Sequence, residues 1–184
     1  GTTVDFRDSK RSIVIANTKK VTSGFNKFEE RNASSRVDWT NIAITALGTI
    51  SRGDFIATDN ATINLISCVF SDMGTFGFLG NSTITGSVFR RCNLVTQSSS
   101  TITGCTFDST NDATRAVLCN DPTKISGCTF LSSGTKHGVE INAAGTYNWV
   151  DNTFTGYASV DGSTGNEAVY NNSGGAVTLN IGAG

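Results

Sequence analysis

Apolar and polar positions along this chain recur in six-residue blocks rather than in helical stripes. Three blocks are nearly identical: Ile84-Thr-Gly-Ser-Val-Phe89, Ile102-Thr-Gly-Cys-Thr-Phe107 and Ile125-Ser-Gly-Cys-Thr-Phe130. Looser copies flank them, Leu65-Ile-Ser-Cys-Val-Phe70 upstream and Trp149-Val-Asp-Asn-Thr-Phe154 downstream. The residue two before each Phe, namely Cys68, Ser87, Cys105, Cys128 or Asn152, shares a strand face with that Phe. The apolar opener five before has the opposite parity. The small residue between them, Gly86, Gly104 or Gly127, turns the chain and brings the opener inside again. Each block therefore predicts strand, tight turn, strand.

The closing Phe recurs at 70, 89, 107, 130 and 154, at intervals of 19, 18, 23 and 24. Counting 23 back from Phe70 reaches Leu47, and 23 on from Phe154 reaches Val177; Phe25 or Phe28 is the candidate for an earlier turn. A repeat near two dozen residues admits few architectures. The dense Leu pattern of leucine-rich repeats is missing, and so is the six-residue apolar period of a left-handed hexapeptide helix. An all-β right-handed parallel β-helix of about six to eight coils fits, with uneven intervals absorbed as surface loops. Its rungs lie ~4.8 Å apart, which makes a rod of roughly 30–40 Å. Phe70, Phe89, Phe107, Phe130 and Phe154 then form one interior ladder, with Cys68, Cys105, Cys128 and Asn152 in a second. The expected division is a charged N-terminal segment or cap over residues 1–40 and the β-helix over 41–184.

These Ile-x-Gly-x-x-Phe blocks resemble the repeats of right-handed parallel β-helices of the pectin-lyase-like superfamily. That resemblance implies an inner-turn ladder of stacked Asn, which Asn152-Thr-Phe154 matches directly, with Cys68, Ser87, Cys105 and Cys128 as small replacements. Three further segments resemble bacteriophage and prophage structural proteins such as tail fibres, tailspikes and capsid-decoration proteins. They are Val37-Asp-Trp-Thr-Asn41, Cys68-Val-Phe-Ser-Asp-Met-Gly-Thr-Phe76 and Ala168-Val-Tyr-Asn-Asn-Ser-Gly-Gly-Ala-Val-Thr-Leu179. This second resemblance implies a virion component, often a homotrimer.

Composition sharpens the picture. Twenty Gly, a single Pro and only 16% charged residues suit many short strands and tight turns. The net charge of −1 argues against bulk electrostatic binding to nucleic acid. Its distribution is uneven: residues 1–36 hold eight Lys/Arg and four Asp/Glu, whereas residues 37–184 hold six and eleven. The basic segment reads either as a solvated cap or as an arm for an acidic partner. No apolar run is long enough for a membrane span. Gly1 and the Gly-rich close at Asn180–Gly184 read as the limits of a fragment or trimmed piece, so the lack of a visible signal peptide says little about the parent protein.

Five cysteines, with no Cys-x2-Cys spacing, predict buried free thiols rather than zinc ligands or disulfides. The odd count suits folding in a reducing compartment. Catalytic signals are thin. Asp108, Asp112, Asp121, Glu140, Asp151, Asp161 and Glu167 form no acidic column, and Asp151 stands where other blocks carry Gly, which predicts a turn role. The single histidine, His137, is expected in a solvated loop. The expectation is no enzyme activity, no metal and no cofactor.

For ligand binding the surface candidates are Tyr147 and Tyr157, which would stack on sugar rings, and Arg90, Arg91 and Arg115, which would meet anionic glycans or a subunit; Trp149 is expected in the core. The expected function is a virion scaffold, folded in host cytoplasm, with other virion proteins and a host-surface glycan as partners. Two alternatives stay open: a carbohydrate-binding or polysaccharide-cleaving β-helix, and an extracellular bacterial adhesin.

Overall fold

The computed structural model describes residues 36–46, 54–57, 62–78, 82–97, 100–110, 115–133, 136–158 and 165–182, and before them the strands Thr2–Asp5, Ser12–Ala16, Val21–Ser23 and Phe25–Glu30. Every regular element among them is a strand, and every strand pair is parallel. The protein is all-β, with two parallel sheets curled around one shared interior.

The strands fall into three columns. The first contains Ser12–Ala16, Arg36–Thr40, Thr62–Ile66, Thr83–Thr85, Thr101–Thr103, Lys124–Ser126, Gly145–Val150 and Val177–Asn180. The second contains Val21–Ser23, Ala43–Ala46, the opening residues of Val69–Phe78 and of Val88–Thr96, then Thr106–Ser109, Thr129–Ser132 and Thr153–Thr155. The third contains Thr2–Asp5, Phe25–Glu30, Asp54–Ala57, the closing residues of the same two long strands, then Val117–Cys119, Val139–Ile141 and Val169–Asn171. The chain visits first, second and third column in turn, so residues far apart in sequence become neighbours on adjacent rungs.

Register places like on like. In the first column Trp39, Leu65, Ile84, Ile102, Ile125 and Trp149 lie opposite one another, and all are buried. In the second column Phe70, Phe89, Phe107, Phe130 and Phe154 are successive partners. Their ring centroids are 5.5, 5.2, 4.8 and 4.6 Å apart, all stacked. The first four are fully buried, and each buried Phe contributes roughly 1.5–3 kcal/mol. In the third column Leu94, Val117 and Val139 close the core, with Val169 packed against it.

A column of left-handed residues makes the corner between the first two columns. Asn41, Ser67, Gly86, Gly104, Gly127 and Asp151 have φ of 57°, 53°, 57°, 61°, 61° and 57°. Glycine reaches this conformation without a Cβ penalty; Asn and Asp tolerate it better than most other residues. Asp151 takes the turn position that its alignment with Gly predicts.

The residue after each corner points inward and ties rungs together. Cys68 N–H donates to Ser87 Oγ at 3.1 Å, Cys105 N–H to Cys128 Sγ at 3.4 Å, and Cys128 N–H to Asn152 Oδ1 at 2.9 Å. The thiols also donate to carbonyls: Cys105 Sγ lies 3.4 Å from Thr103 O, and Cys128 Sγ 3.4 Å from Ser126 O. All five cysteines are free and buried.

Three extrapolations of the spacing are corrected. Phe70 pairs with Ile44, 26 residues earlier, rather than with Leu47, which lies outside the described residues. Val177 belongs to the first column, opposite Gly145, because the connection between Thr153–Thr155 and Val169–Asn171 delays the next turn of chain. Phe25 and Phe28 belong to a third-column strand, with Phe28 opposite Phe55. A fixed count fails wherever connection length varies.

Candidate functional site

A group of ionisable side chains lies over the C-terminal rungs of the third column. Strand alternation turns Leu118, Glu140 and Tyr170 away from the core, directly opposite one another on successive rungs. On this face Leu118 is 7% and Glu140 8% exposed. A buried carboxylate needs partners. Glu140 has two: Arg115 Nη1 donates to Oε2 at 2.9 Å, and Asn172 Nδ2 donates to Oε1 at 3.0 Å. Beside it His137 Nδ1 lies 2.7 Å from Glu167 Oε2, and the imidazole stacks on Tyr170 with centroids 4.3 Å apart.

His137 is therefore not the solvated loop residue expected from sequence. Its side chain is only 13% exposed, held between Tyr170 and a buried glutamate. The backbone explains the placement. Gly138 N–H donates to Glu167 O at 2.9 Å, which draws the segment before Val169–Asn171 against the one before Val139–Ile141. A Cβ on Gly138 would lie 2.6 Å from Ala168 O, so only glycine permits this approach.

Past the third column runs an exposed amide ladder. Asn142 Nδ2 donates to Asn120 Oδ1 at 3.2 Å, and Asn172 Nδ2 lies 3.3 Å from Asn142 Oδ1. The sequence reading missed it. Its signal is the recurrence of Val-Leu-Cys-Asn120, Val-Glu-Ile-Asn142 and Val-Tyr-Asn-Asn172, whose uneven spacing of 22 and 30 hides the repeat.

The candidates named from sequence do not converge. Tyr147 is fully buried, and its hydroxyl donates to Ala143 O at 2.8 Å; it presents no face to a sugar. The reason is register: Tyr147 shares the inward face of its strand with Trp149, which is also in the core. Tyr157 is half-buried edge-on against Phe154, with centroids 5.9 Å apart. Arg90 is exposed on the second column opposite Asp108. Arg91 pairs with Asp72, Nη2 to Oδ2 at 2.7 Å, where both residues bend their strands with positive φ. Of the five, only Arg115 belongs to the third-column cluster. Among the described residues no group of three or more His, Cys, Asp or Glu is arranged to hold a metal ion.

A second feature is a cavity of about 380 Å³ at the C-terminal end of the stack, lined by Trp149, Asn152, Phe154, Val169, Leu179 and Ile181 among others. No family model, curated protein or solved structure matches this chain.

Proposed function

We propose that this chain is a right-handed parallel β-helix serving as a non-enzymatic structural domain of a phage-type virion, in a tail fibre, spike or capsid decoration. The observation that carries the scaffold reading is the continuous stack of parallel rungs around an interior filled by side chains. Such a stack is stiff along its axis. Right-handedness follows the general preference of parallel β crossovers. The placement in a virion rests on the likeness of Val37–Asn41, Cys68–Phe76 and Ala168–Leu179 to phage structural segments.

The polar cluster fits a structural role. Glu140 is held by Arg115 and Asn172, and Glu167 faces His137, so both acids are engaged with the connecting segments. We read this cluster as the clamp that fastens those segments to the third column. Multi-angle light scattering on the purified chain tests the assembly: a homotrimer is expected, and a monomer at all concentrations argues against the virion reading.

One observation favours a second reading, carbohydrate binding. The exposed amides of Asn142 and Asn172 stand beside half-buried Tyr170, a combination of ring and amides that suits sugar hydroxyls. Binding on a glycan array that Asn142→Ala abolishes would favour it. Release of reducing ends from a capsular polysaccharide would turn it into an enzyme.

A further inference from the structure

Two cysteines occupy the same place on neighbouring rungs. Cys105 and Cys128 each follow a left-handed glycine, point inward and are 1% exposed. Their thiols meet equivalent carbonyls. Cys105 Sγ lies 3.4 Å from Thr103 O and 3.7 Å from Ile84 O; Cys128 Sγ lies 3.4 Å from Ser126 O and 3.9 Å from Ile102 O. Thr103 and Ser126 are register partners, and so are Ile84 and Ile102. The two side chains are thus copies displaced by one rung, which sets their sulfurs ~4.8 Å apart along the axis. Cys68, the remaining cysteine of this ladder, is separated from Cys105 by the rung that carries Ser87.

This spacing is wrong for a disulfide and right for a bridging cation. A disulfide needs its sulfurs ~2 Å apart. Backbone hydrogen bonds on both sides, Gly104 N–H to Ser126 O and Thr129 N–H to Cys105 O, each 2.9 Å, hold the rungs at their separation. Two metal–thiolate bonds of ~2.3 Å laid end to end span about 4.6 Å. Parallel side chains with their sulfurs aligned on the axis therefore admit a linear sulfur–metal–sulfur bridge with little movement of the backbone. Zinc asks for four ligands, and this pair supplies two. Soft monovalent cations such as Cu(I) and Ag(I) favour thiolates and accept linear two-coordination.

Charge balance also selects a monovalent ion. The pair stands in the hydrophobic core, where an uncompensated charge is costly. The hydrogen bond between the two thiols raises the Cys105 thiol, with burial adding to it, and lowers that of Cys128. Cys128 is then the group that gives up its proton, while Cys105 keeps its own. One thiolate, one thiol and one monovalent cation sum to zero charge. The cation replaces a single proton, which leaves to solvent, and no electron moves.

We infer that Cys105 and Cys128 form a binding site for one soft monovalent cation of the Cu(I) type, held in line between two rungs of the inner ladder. Both sulfurs are buried, so the cation enters while the chain folds or during an opening of the stack. Once in place it joins neighbouring rungs through their side chains as well as their backbones. Ser87 shows that the ladder itself does not require sulfur, since its hydroxyl accepts the Cys68 N–H at 3.1 Å. What the two successive thiols add is affinity for a soft metal. The site goes beyond the scaffold reading and stands whatever the scaffold serves.

The test refolds the full chain from urea with Ag(I), a probe that does not oxidise thiols, dialyses it against excess methionine and counts bound silver by mass spectrometry. Expected is one silver per chain, the circular dichroism spectrum of the metal-free protein, and two sulfur ligands by X-ray absorption. Cys105→Ser and Cys128→Ser each remove one ligand and should weaken retention by more than the roughly 10–100-fold that loss of an outer partner costs. Cys68→Ser should retain silver as the parent does. Ser87→Cys puts thiols on four consecutive rungs and should raise retention from one silver to two. A refolded parent that washes free of silver overturns the site. So do Cys105→Ser and Cys128→Ser variants that hold silver as firmly as the parent, a Ser87→Cys chain that still holds one, or silver that keeps the native spectrum from returning.

Discussion

Asn152 holds Cys128 and Ile125 with the two ends of its amide. Oδ1 accepts the Cys128 N–H at 2.9 Å, and Nδ2 donates to Ile125 O at 2.9 Å, so one side chain satisfies two backbone groups of the preceding rung. One rung earlier Cys128 does half of this job with sulfur, accepting the Cys105 N–H through Sγ at 3.4 Å. The inner ladder therefore runs on hydroxyl, thiol and amide alike, provided the group is small and carries a lone pair.

That equivalence makes the ladder testable. Cys128→Ser keeps an acceptor of the kind Ser87 supplies and should change stability by less than about 1 kcal/mol. Cys128→Ala removes the acceptor and strands the buried Cys105 N–H, at about 1–3 kcal/mol. Asn152→Ala strands two groups but is half-buried, so water recovers part of the loss and a similar ~1–3 kcal/mol is expected. Urea unfolding measures all three. Equal losses for the serine and alanine variants of Cys128 would mean the thiol only fills space.

The phenylalanine ladder carries the largest single-residue effects. Phe107 is fully buried between Phe89 and Phe130, at centroid distances of 5.2 and 4.8 Å. Phe107→Ala should cost about 3–5 kcal/mol. Phe154→Ala should cost clearly less, because Phe154 is half-buried and has one ring neighbour in the stack. A ranking in which Phe154 costs as much as Phe107 would contradict this description of the stack.

Much of this architecture is legible in the sequence because the first two columns and the corner between them repeat as one short block. Ile, Gly, Cys and Phe each hold a fixed place in that block, and short strands leave little freedom in register. The third column is harder to read. It is reached through connections of variable length, so Glu140 and Tyr170 share a column at a spacing of 30, whereas Phe107 and Phe130 share one at 23. His137 looks like a loop residue because nothing nearby in sequence reveals Glu167, which lies 30 residues away and reaches it only through the connecting segment. The burial of Tyr147 is hidden in the sequence for another reason. An aromatic near a turn reads as surface until register shows that it alternates with Trp149 on the inner face.

Substitutions in the left-handed column separate backbone conformation from packing. A Cβ on Gly104 would meet nothing within 4 Å, yet its φ is +61°. Gly104→Ala should therefore cost about 1–2 kcal/mol through conformation alone. Gly104→Asn should cost less than Gly104→Ala, since Asn tolerates the left-handed region better than alanine. Asp151, at φ 57° and exposed, offers the reverse experiment: Asp151→Gly should stabilise by about 0.5–1 kcal/mol. Melting points of these variants decide it, and a neutral Gly104→Ala would show that the corner relaxes.

Alkaline pH should unfold this protein earlier than its net charge suggests. Burial pushes the Cys119 thiol up to about 12, and burial pushes the Tyr147 phenol up to about 12 as well. Both are acids whose neutral form suits the interior. In the unfolded chain Cys119 ionises near ~8.5 and Tyr147 near ~10. Between those values and about 12 the unfolded state binds fewer protons than the folded one. Stability is thus fully present below pH ~8.5 and falls as pH rises, by about 1.4 kcal/mol per pH unit for each group once its unfolded form has ionised. Cys119→Ala should reduce the onset near pH 9 without abolishing it, because burial also raises the Cys68 thiol and the hydrogen bond to Cys128 raises that of Cys105; it should leave the onset above pH 10, apart from a constant loss from the vacated space. Urea midpoints from pH 7 to 11 read this directly. The same burial predicts that native protein at pH 8 reacts only slowly with a thiol reagent, while unfolded protein exposes all five cysteines. Rapid labelling of the folded chain would place the thiols in water and contradict the ladder in which three of them stand.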